Sequence, residues 1–344
     1  MNKLPLIAGG ALAACLAGYF GLSSYSSAQA EKRLEDWVYE HQLDDKLSWS
    51  KVSASPFGGS LSIHDITFDV GGKEPLLRAA ELHISEVISD EQRSRMRLRL
   101  QGIEADQQAM GGLRQLGQMG GFNRQLNQAT RFAPAVNTGL REMPAFNLAL
   151  FVDIDDDDSS LVSELELELP ELFSTRLHYQ LNGLRNLNRE LQRFTDNLAD
   201  LQENPLLLVQ ETEDLALAMQ RAELGSLQVS LRDLGMLKRS AALYQRYNTP
   251  LDPTAGSADK QREKHLRQQV AEQQRECSEE LGRLPRGLED TCELLGQLAL
   301  GEIRGLSLSL EPEERVRLSD LERLDSPARI NRLLDRLNPQ LESL

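Results

Sequence analysis

Five aspartates crowd one short stretch, Asp153, Asp155, Asp156, Asp157 and Asp158. Asp153, Asp155, Asp157 and Glu164 fall at positions 1, 3, 5 and 12 of a calcium-loop template. Position 6 of that template needs glycine for its sharp turn, and Asp158 stands there. The flanking residues alternate like strands, whereas a calcium loop of this kind joins helices. The expectation is a solvated hairpin turn between Phe146–Ile154 and Leu161–Leu169.

A second pattern is basic. Arg93, Arg95, Arg97 and Arg99 alternate along one strand face, with Met96, Leu98 and Leu100 behind them. Such a stripe could dock anionic headgroups or a protein partner. Glu164, Glu166 and Glu168 alternate in the same way and could answer it. Opposite charges on neighbouring strands contribute about 0.2–1 kcal/mol per pair, so a charge ladder inside the fold is the simpler expectation.

Other reactive side chains form no constellation. His41, His64, His83, His178 and His265 are scattered, and none has zinc-ligand spacing. There is no G-x-S-x-G elbow, Walker A loop or G-x-G-x-x-G. A Ser/His/Asp triad assembles in space and leaves no such signature. No catalytic, cofactor-binding or metal-ligating residue is therefore assigned, and a non-enzymatic protein is expected. A net charge of −15 disfavours nucleic acid, which needs cations to displace its counterions, and broad adsorption on anionic lipid.

The cysteines divide by position. Cys15 lies in an apolar run, leaving Cys277 and Cys292 as an even pair. Each falls on the apolar stripe of a helix expected from spacing, with Leu266, Val270 and Leu281 around Cys277, and Leu288 and Leu295 around Cys292. Leu284-Pro285-Arg286-Gly287 supplies a turn between them. The sequence thus predicts an αα-hairpin within 257–300, closed by a Cys277–Cys292 disulfide in an oxidising compartment. Two buried free thiols are the alternative.

The elements that would position these residues begin with the apolar run Leu4–Leu22, close to the ~20 residues a helix needs to cross hydrocarbon. Ala28-Gln29-Ala30 could be a cleavage site, and Leu12-Ala13-Ala14-Cys15 has the form of a lipobox. The run continues past Cys15 without a polar break, and a helix-like pattern with Leu34, Trp37, Val38 and His41 follows. An uncleaved transmembrane anchor over 1–24 is the reading preferred, with the remainder in the periplasm.

From Ser48 the period becomes two. Strands are expected at Ser48–Ala54, Ser60–Val70, Leu77–Ile88, Arg95–Glu104, Ala145–Asp155, Leu161–Leu169, Phe173–Leu181, Leu215–Glu223, Gly225–Leu231 and Gly305–Leu310. Residues 106–141 read as a glycine-interrupted helix, 184–201 as an amphipathic helix and Ala328–Leu337 as a terminal one. Gly59, Gly225 and Gly305 each precede a strand-like run, a faint repeat of form. The fold class is α+β: an antiparallel, curved sheet covered by amphipathic helices, divided into 25–183 and 184–344.

Several segments together resemble the YdgA-like group of membrane-anchored envelope proteins and, more distantly, AsmA-like proteins. They are Trp49-Ser50-Lys51-Val52, Gly58-Gly59-Ser60-Leu61-Ser62-Ile63-His64-Asp65-Ile66, Leu165-Glu166-Leu167-Glu168-Leu169-Pro170-Glu171-Leu172, and Leu306–Leu310 before Pro312. The resemblance is one of strand pattern over residues 1–105 and 145–320, and it carries no catalytic residue. It implies an inner-membrane protein that binds lipid or a lipid-like ligand, or helps maintain the envelope. A periplasmic scaffold that docks a protein partner through its helical region is the second expectation.

Overall fold

The computed structural model describes residues 27–40, 43–55, 59–69, 75, 77–105, 138–140, 143–196, 221–281, 287–321 and 327–344. The expected anchor over 1–24, nearly all of the expected helix at 106–141 and most of the expected strand from Leu215 lie outside them. No helix of the described residues is long and apolar enough to cross a membrane.

The α+β expectation holds in its coarse form. Eleven strands and seven helices are described, and every pairing named below is antiparallel. The chain forms two compact units that interleave in sequence. Met1–Phe132, Ala145–Leu167 and Leu184–Ala218 make the first; Ala133–Pro144, Glu168–Gly183 and Met219–Leu344 make the second.

The first unit opens with helix α1 (Ser27–Glu40), followed by β1 (Leu47–Ser48), β2 (Lys51–Ala54), β3 (Ser60–Phe68), β4 (Leu77–Ser89) and β5 (Arg93–Ala105). After the next described stretch come β6 (Phe146–Asp155), β7 (Ser160–Leu169) and, later, helix α2 (Leu187–Asp196). The hydrogen-bonded order is β1-β3-β4-β5-β6, with β2 also on β3. Strict alternation sends every second side chain to one face. In register, Leu61, Ile84, Leu98 and Leu150 therefore line up across four strands, and Val52, Ile63, Leu82 and Leu100 form the next row. Helix α1 adds Ala30, 1 % exposed, to this core, with Leu34 packed against it. Ser27 Oγ accepts a hydrogen bond from the Ala54 amide at 3.0 Å and fixes where that helix meets the sheet.

The second unit holds β8 (Phe173–Asn182), β9 (Glu223–Asp233), helices α3 (Met236–Asn248), α4 (Ala258–Leu281) and α5 (Thr291–Leu300), β10 (Gly305–Leu310), α6 (Leu318–Leu321), α7 (Pro327–Leu337) and β11 (Pro339–Ser343). Its strand order is β8-β9-β10-β11. Leu177, Val229, Leu308 and Leu341 fall in one cross-strand row. Leu333 and Leu337 of α7, four residues apart and so on one helix face, are both buried.

Several elements differ from the sequence expectation: Ser48–Ala54 is two strands, β1 and β2, and the short α6 was not expected. β9 runs through Gly225 without a break, because that glycine sits where the register against β8 shifts. A Cβ there would lie 2.7 Å from Asn182 Nδ2, so the missing side chain makes room for the shift. Helix α3 and strand β11 were not expected at all. The amide of Leu237 in α3 bonds to the carboxylate of Asp233, four residues back, and Gly235 stands at the N-cap position with no side chain to offer. β11 begins with Pro339, which a strand tolerates as its first residue.

Leu98 is 1 % exposed at the centre of the four-strand row. Leu98→Ala should lower unfolding stability by about 3 kcal/mol, with an unchanged urea m-value. Urea denaturation followed by circular dichroism measures it.

Candidate functional site

β5 carries its arginines between two partners, and each partner takes some of them. Directly across from Arg95 in register lies Asp153 of β6. Arg93 grips this carboxylate with two bonds, Nε to Oδ1 at 2.9 Å and Nη2 to Oδ2 at 2.8 Å. Arg95 adds Nη2 to Oδ2 at 2.6 Å. Arg93 also reaches Asp155 at 3.6 Å. Arg97 turns the other way and donates through Nε to Glu86 Oε1 of β4 at 2.6 Å. Its guanidinium also covers the Phe151 ring, 4.5 Å from the centroid. Arg99 is exposed.

The stripe is therefore paired inside the fold, as the ladder reading expects, but the partners identified are Asp153, Asp155 and Glu86. Glu164, Glu166 and Glu168 of the expected answering strand are themselves engaged in polar or charged interactions. The two-oxygen grip comes from Arg93, which lies diagonal to Asp153 and directly across from Asp155, while Arg95, directly across from Asp153, bonds one oxygen. Hydrogen bonding from Arg93, followed by that from Arg95, holds the Asp153 carboxyl below the usual carboxylate range, although burial pushes it up.

The aspartate turn has a structural occupation for each of its leading carboxylates. Asp155 Oδ1 accepts the amides of Asp157 and Asp158, both at 3.1 Å, and so closes the turn on itself. Asp156 reaches away: its Oδ1 accepts the Asn188 amide at 3.0 Å and its Oδ2 the Arg189 amide at 3.4 Å. Those amides belong to the first turn of α2, where the helix has unsatisfied donors and a carboxylate is favoured by the dipole. With Asp153 held by arginines and Asp155 closing the turn, two of the four calcium-template positions are already engaged within the fold.

Asn188 completes this corner and was not anticipated. It is fully buried. Its Nδ2 donates to the Asp90 carbonyl at 3.0 Å, and its Oδ1 accepts from Ser94 Oγ at 2.5 Å. Asp90 in turn shapes the β4–β5 hairpin by accepting the amides of Gln92 and Arg93. The partners of the Asn188 side chain lie more than 90 residues back in sequence, so no local pattern could have revealed them.

In the second unit Cys277 and Cys292 meet as expected. Cys277 of α4 and Cys292 of α5 have their sulfurs at bonding distance and their Cα atoms 5.9 Å apart. The helices pack closely beside them, since a Cβ on Gly296 would collide with the Gln274 side chain at 1.9 Å. Gly287 follows the connection with φ +87, and its carbonyl accepts the Leu341 amide of β11 at 3.0 Å. A Cβ there would lie 2.0 Å from the Pro339 carbonyl, so only glycine fits. Val270 and Cys292 are buried as expected. Leu295 is not: it is 46 % exposed, although its α5 neighbours Cys292, Gly296 and Leu298 are buried. The Leu284–Arg286 part of the expected turn lies outside the described residues.

A cavity of about 540 Å³ opens between α3 and α4, lined among others by Arg246, Asp259, Arg262 and Glu263. Charged groups of both signs line it, unlike a site shaped for an acyl chain. Among the described residues no group of three or more histidine, cysteine or acidic side chains is placed to hold a metal ion. No protein-family model matches the chain, and no curated protein matches its sequence.

The ion pair gives a pH test. A carboxyl whose folded pKa is depressed contributes stability above its unfolded value, near 3.9, and loses it as pH falls through the lower folded value. Asp153→Asn should lower stability at pH 7 by about 1–2 kcal/mol, since both arginines remain a third exposed and water screens them. The difference between variant and parent should shrink below pH 4. Chemical denaturation at pH 7, 4 and 3 checks both statements.

Proposed function

We propose that this chain is a non-enzymatic envelope protein, held in the inner membrane by residues 1–24 with the remainder in the periplasm, and that it works by binding. The leading reading is lipid or lipid-like ligand binding in the service of envelope maintenance. The resemblance to YdgA-like and AsmA-like proteins and the apolar run Leu4–Leu22 point the same way. One observation carries the reading beyond sequence. The arginine stripe, the plainest docking feature of the sheet, is largely neutralised by Asp153, Asp155 and Glu86. By contrast, exposed apolar and aromatic side chains gather in the helical part of the second unit, with Tyr244, Tyr247, Leu251 and Leu295 all outward. Exposed large apolar groups in proximity mark interaction surfaces.

A periplasmic scaffold is the second reading, and the cysteine-linked α4–α5 hairpin favours it. A covalent tie between two helices keeps their outer faces in fixed relation, which suits a docking platform.

Native mass spectrometry of the full chain, extracted in detergent and then delipidated, separates the two. Phospholipid that rebinds on exchange and survives transfer supports lipid binding. A stoichiometric protein partner with no lipid supports the scaffold and rejects the leading reading.

A further inference from the structure

Helix α4 is 24 residues long, yet Val270 is its one buried residue among the described side chains. A helix that hides so little is not seated by an apolar stripe, so polar or covalent attachments must hold it. They divide along its length. At the N-terminal end Gln261 accepts the Asp252 amide and donates to the Asp252 and Gly256 carbonyls. The Arg262 carbonyl accepts from Gln245 of α3 at 3.2 Å, and Arg267 pairs with Glu302 at 3.3 Å. Beyond Val270, among the described residues, two attachments reach α5: Gln274 donates to the Glu293 carbonyl at 3.4 Å, and Cys277 joins Cys292. The bonds from Ser278 to the Gln274 carbonyl and from Gln273 to Glu276 stay within α4. A single long hydrogen bond is weak, so the last turns of α4 are held chiefly by the sulfurs.

The sulfur pair is accessible from outside. Cys277 is half-buried, and Cys292 lines a cavity of about 430 Å³ with Gln274, Arg275, Glu279 and Glu293 among others. Two carboxylates stand there against one guanidinium, so a thiol that brings no further negative charge enters most readily.

We propose that the Cys277–Cys292 bond is a redox clasp: a dithiol reduces it in the folded protein, and reduction frees residues 271–281 of α4 from α5. The exchange balances with no other reactant. One thiolate of the dithiol attacks one sulfur of the pair, and the other sulfur leaves with the bonding electrons and takes up a proton. The second thiol then attacks the mixed disulfide at the dithiol's own sulfur and displaces the remaining cysteine. Two electrons and two protons pass from the dithiol to the pair, and the dithiol becomes a cyclic disulfide. Helix α5 stays in place, because its start is held otherwise: Thr291 Oγ1 donates to the Leu288 carbonyl at 2.7 Å, and the Gly287 carbonyl accepts the Leu341 amide of β11. Release of α4 therefore uncovers the α5 face at Gly296, which Gln274 fills in the closed form.

The test uses the full chain in detergent, without and then with dithiothreitol, in buffer free of denaturant. Alkylation and peptide mass mapping should find Cys277 and Cys292 blocked before treatment and both alkylated after it, with the circular dichroism spectrum unchanged. Hydrogen exchange should then be at least about tenfold faster at residues 271–281 and unchanged at 258–266, 291–300 and β10. C277S/C292S should show the same pattern with no reductant; if that variant does not fold, the reduced parent decides alone. Alkylation of both cysteines before treatment overturns the proposal, as does a bond that yields only once denaturant is added. Reduction that leaves 271–281 as protected as before rejects the clasp, because the bond then holds nothing. Loss of protection throughout α5 and β10 rejects it too, by making the bond a staple of the whole unit.

Discussion

β5 lies between β4 and β6 with Met96, Leu98 and Leu100 on one face and a line of arginines on the other. The apolar side packs without difficulty. The cationic side is the problem, because four like charges spaced along one strand repel each other unless neighbours answer them. Asp153 answers two of them at once, Asp155 reinforces the first, and Glu86 takes the third while Phe151 spreads beneath it. That arrangement fixes the register of β5 on β6, and the register places the turn that follows. From that turn Asp156 reaches the first amides of α2, and Asn188 of α2 reaches back to the β4–β5 hairpin. One charge-matching constraint thus ties together two hairpins and a helix.

The strands were legible because a sheet with one buried face writes its period directly into the sequence. Ser60–Phe68, Leu77–Ser89 and Phe146–Asp155 all appear within a few residues of where alternation places them. The identity of charge partners was not legible. Glu164–Glu168 and Asp153–Asp155 are equally plausible answers to four arginines until it is known which residue sits directly across β5. The glycines show the same limit. Gly59 sits at φ +81 in the turn before β3, Gly225 lies inside β9 at a register shift, and Gly305 opens β10, where a Cβ would meet the Leu231 carbonyl at 2.3 Å. Three similar-looking motifs serve three different backbone needs, so their likeness does not support an internal duplication.

In the helical region, spacing brought Cys277 and Cys292 together correctly but misplaced Leu295. Cys292 and Leu295 share one side of α5 by spacing, yet only Cys292 is covered, so spacing gives the helix side and not which residues along it are covered. Helix α3 was hidden for a different reason. A helix that buries nothing has no core-facing stripe to announce it. The two units therefore spend their side chains differently: the first on closing its own charges, the second on presenting Tyr244, Tyr247 and Leu251.

Everything assigned to the sheet as a self-satisfied framework rests on the pairing of Arg95 with Asp153, and a double-mutant cycle of Arg95→Ala and Asp153→Ala in the full chain tests it most directly. Urea unfolding of the four proteins should give a favourable coupling of about 1–2 kcal/mol at pH 7 that falls away near pH 3. Additive losses, with no coupling at either pH, would show that the stripe is not held by β6 and would contradict the account.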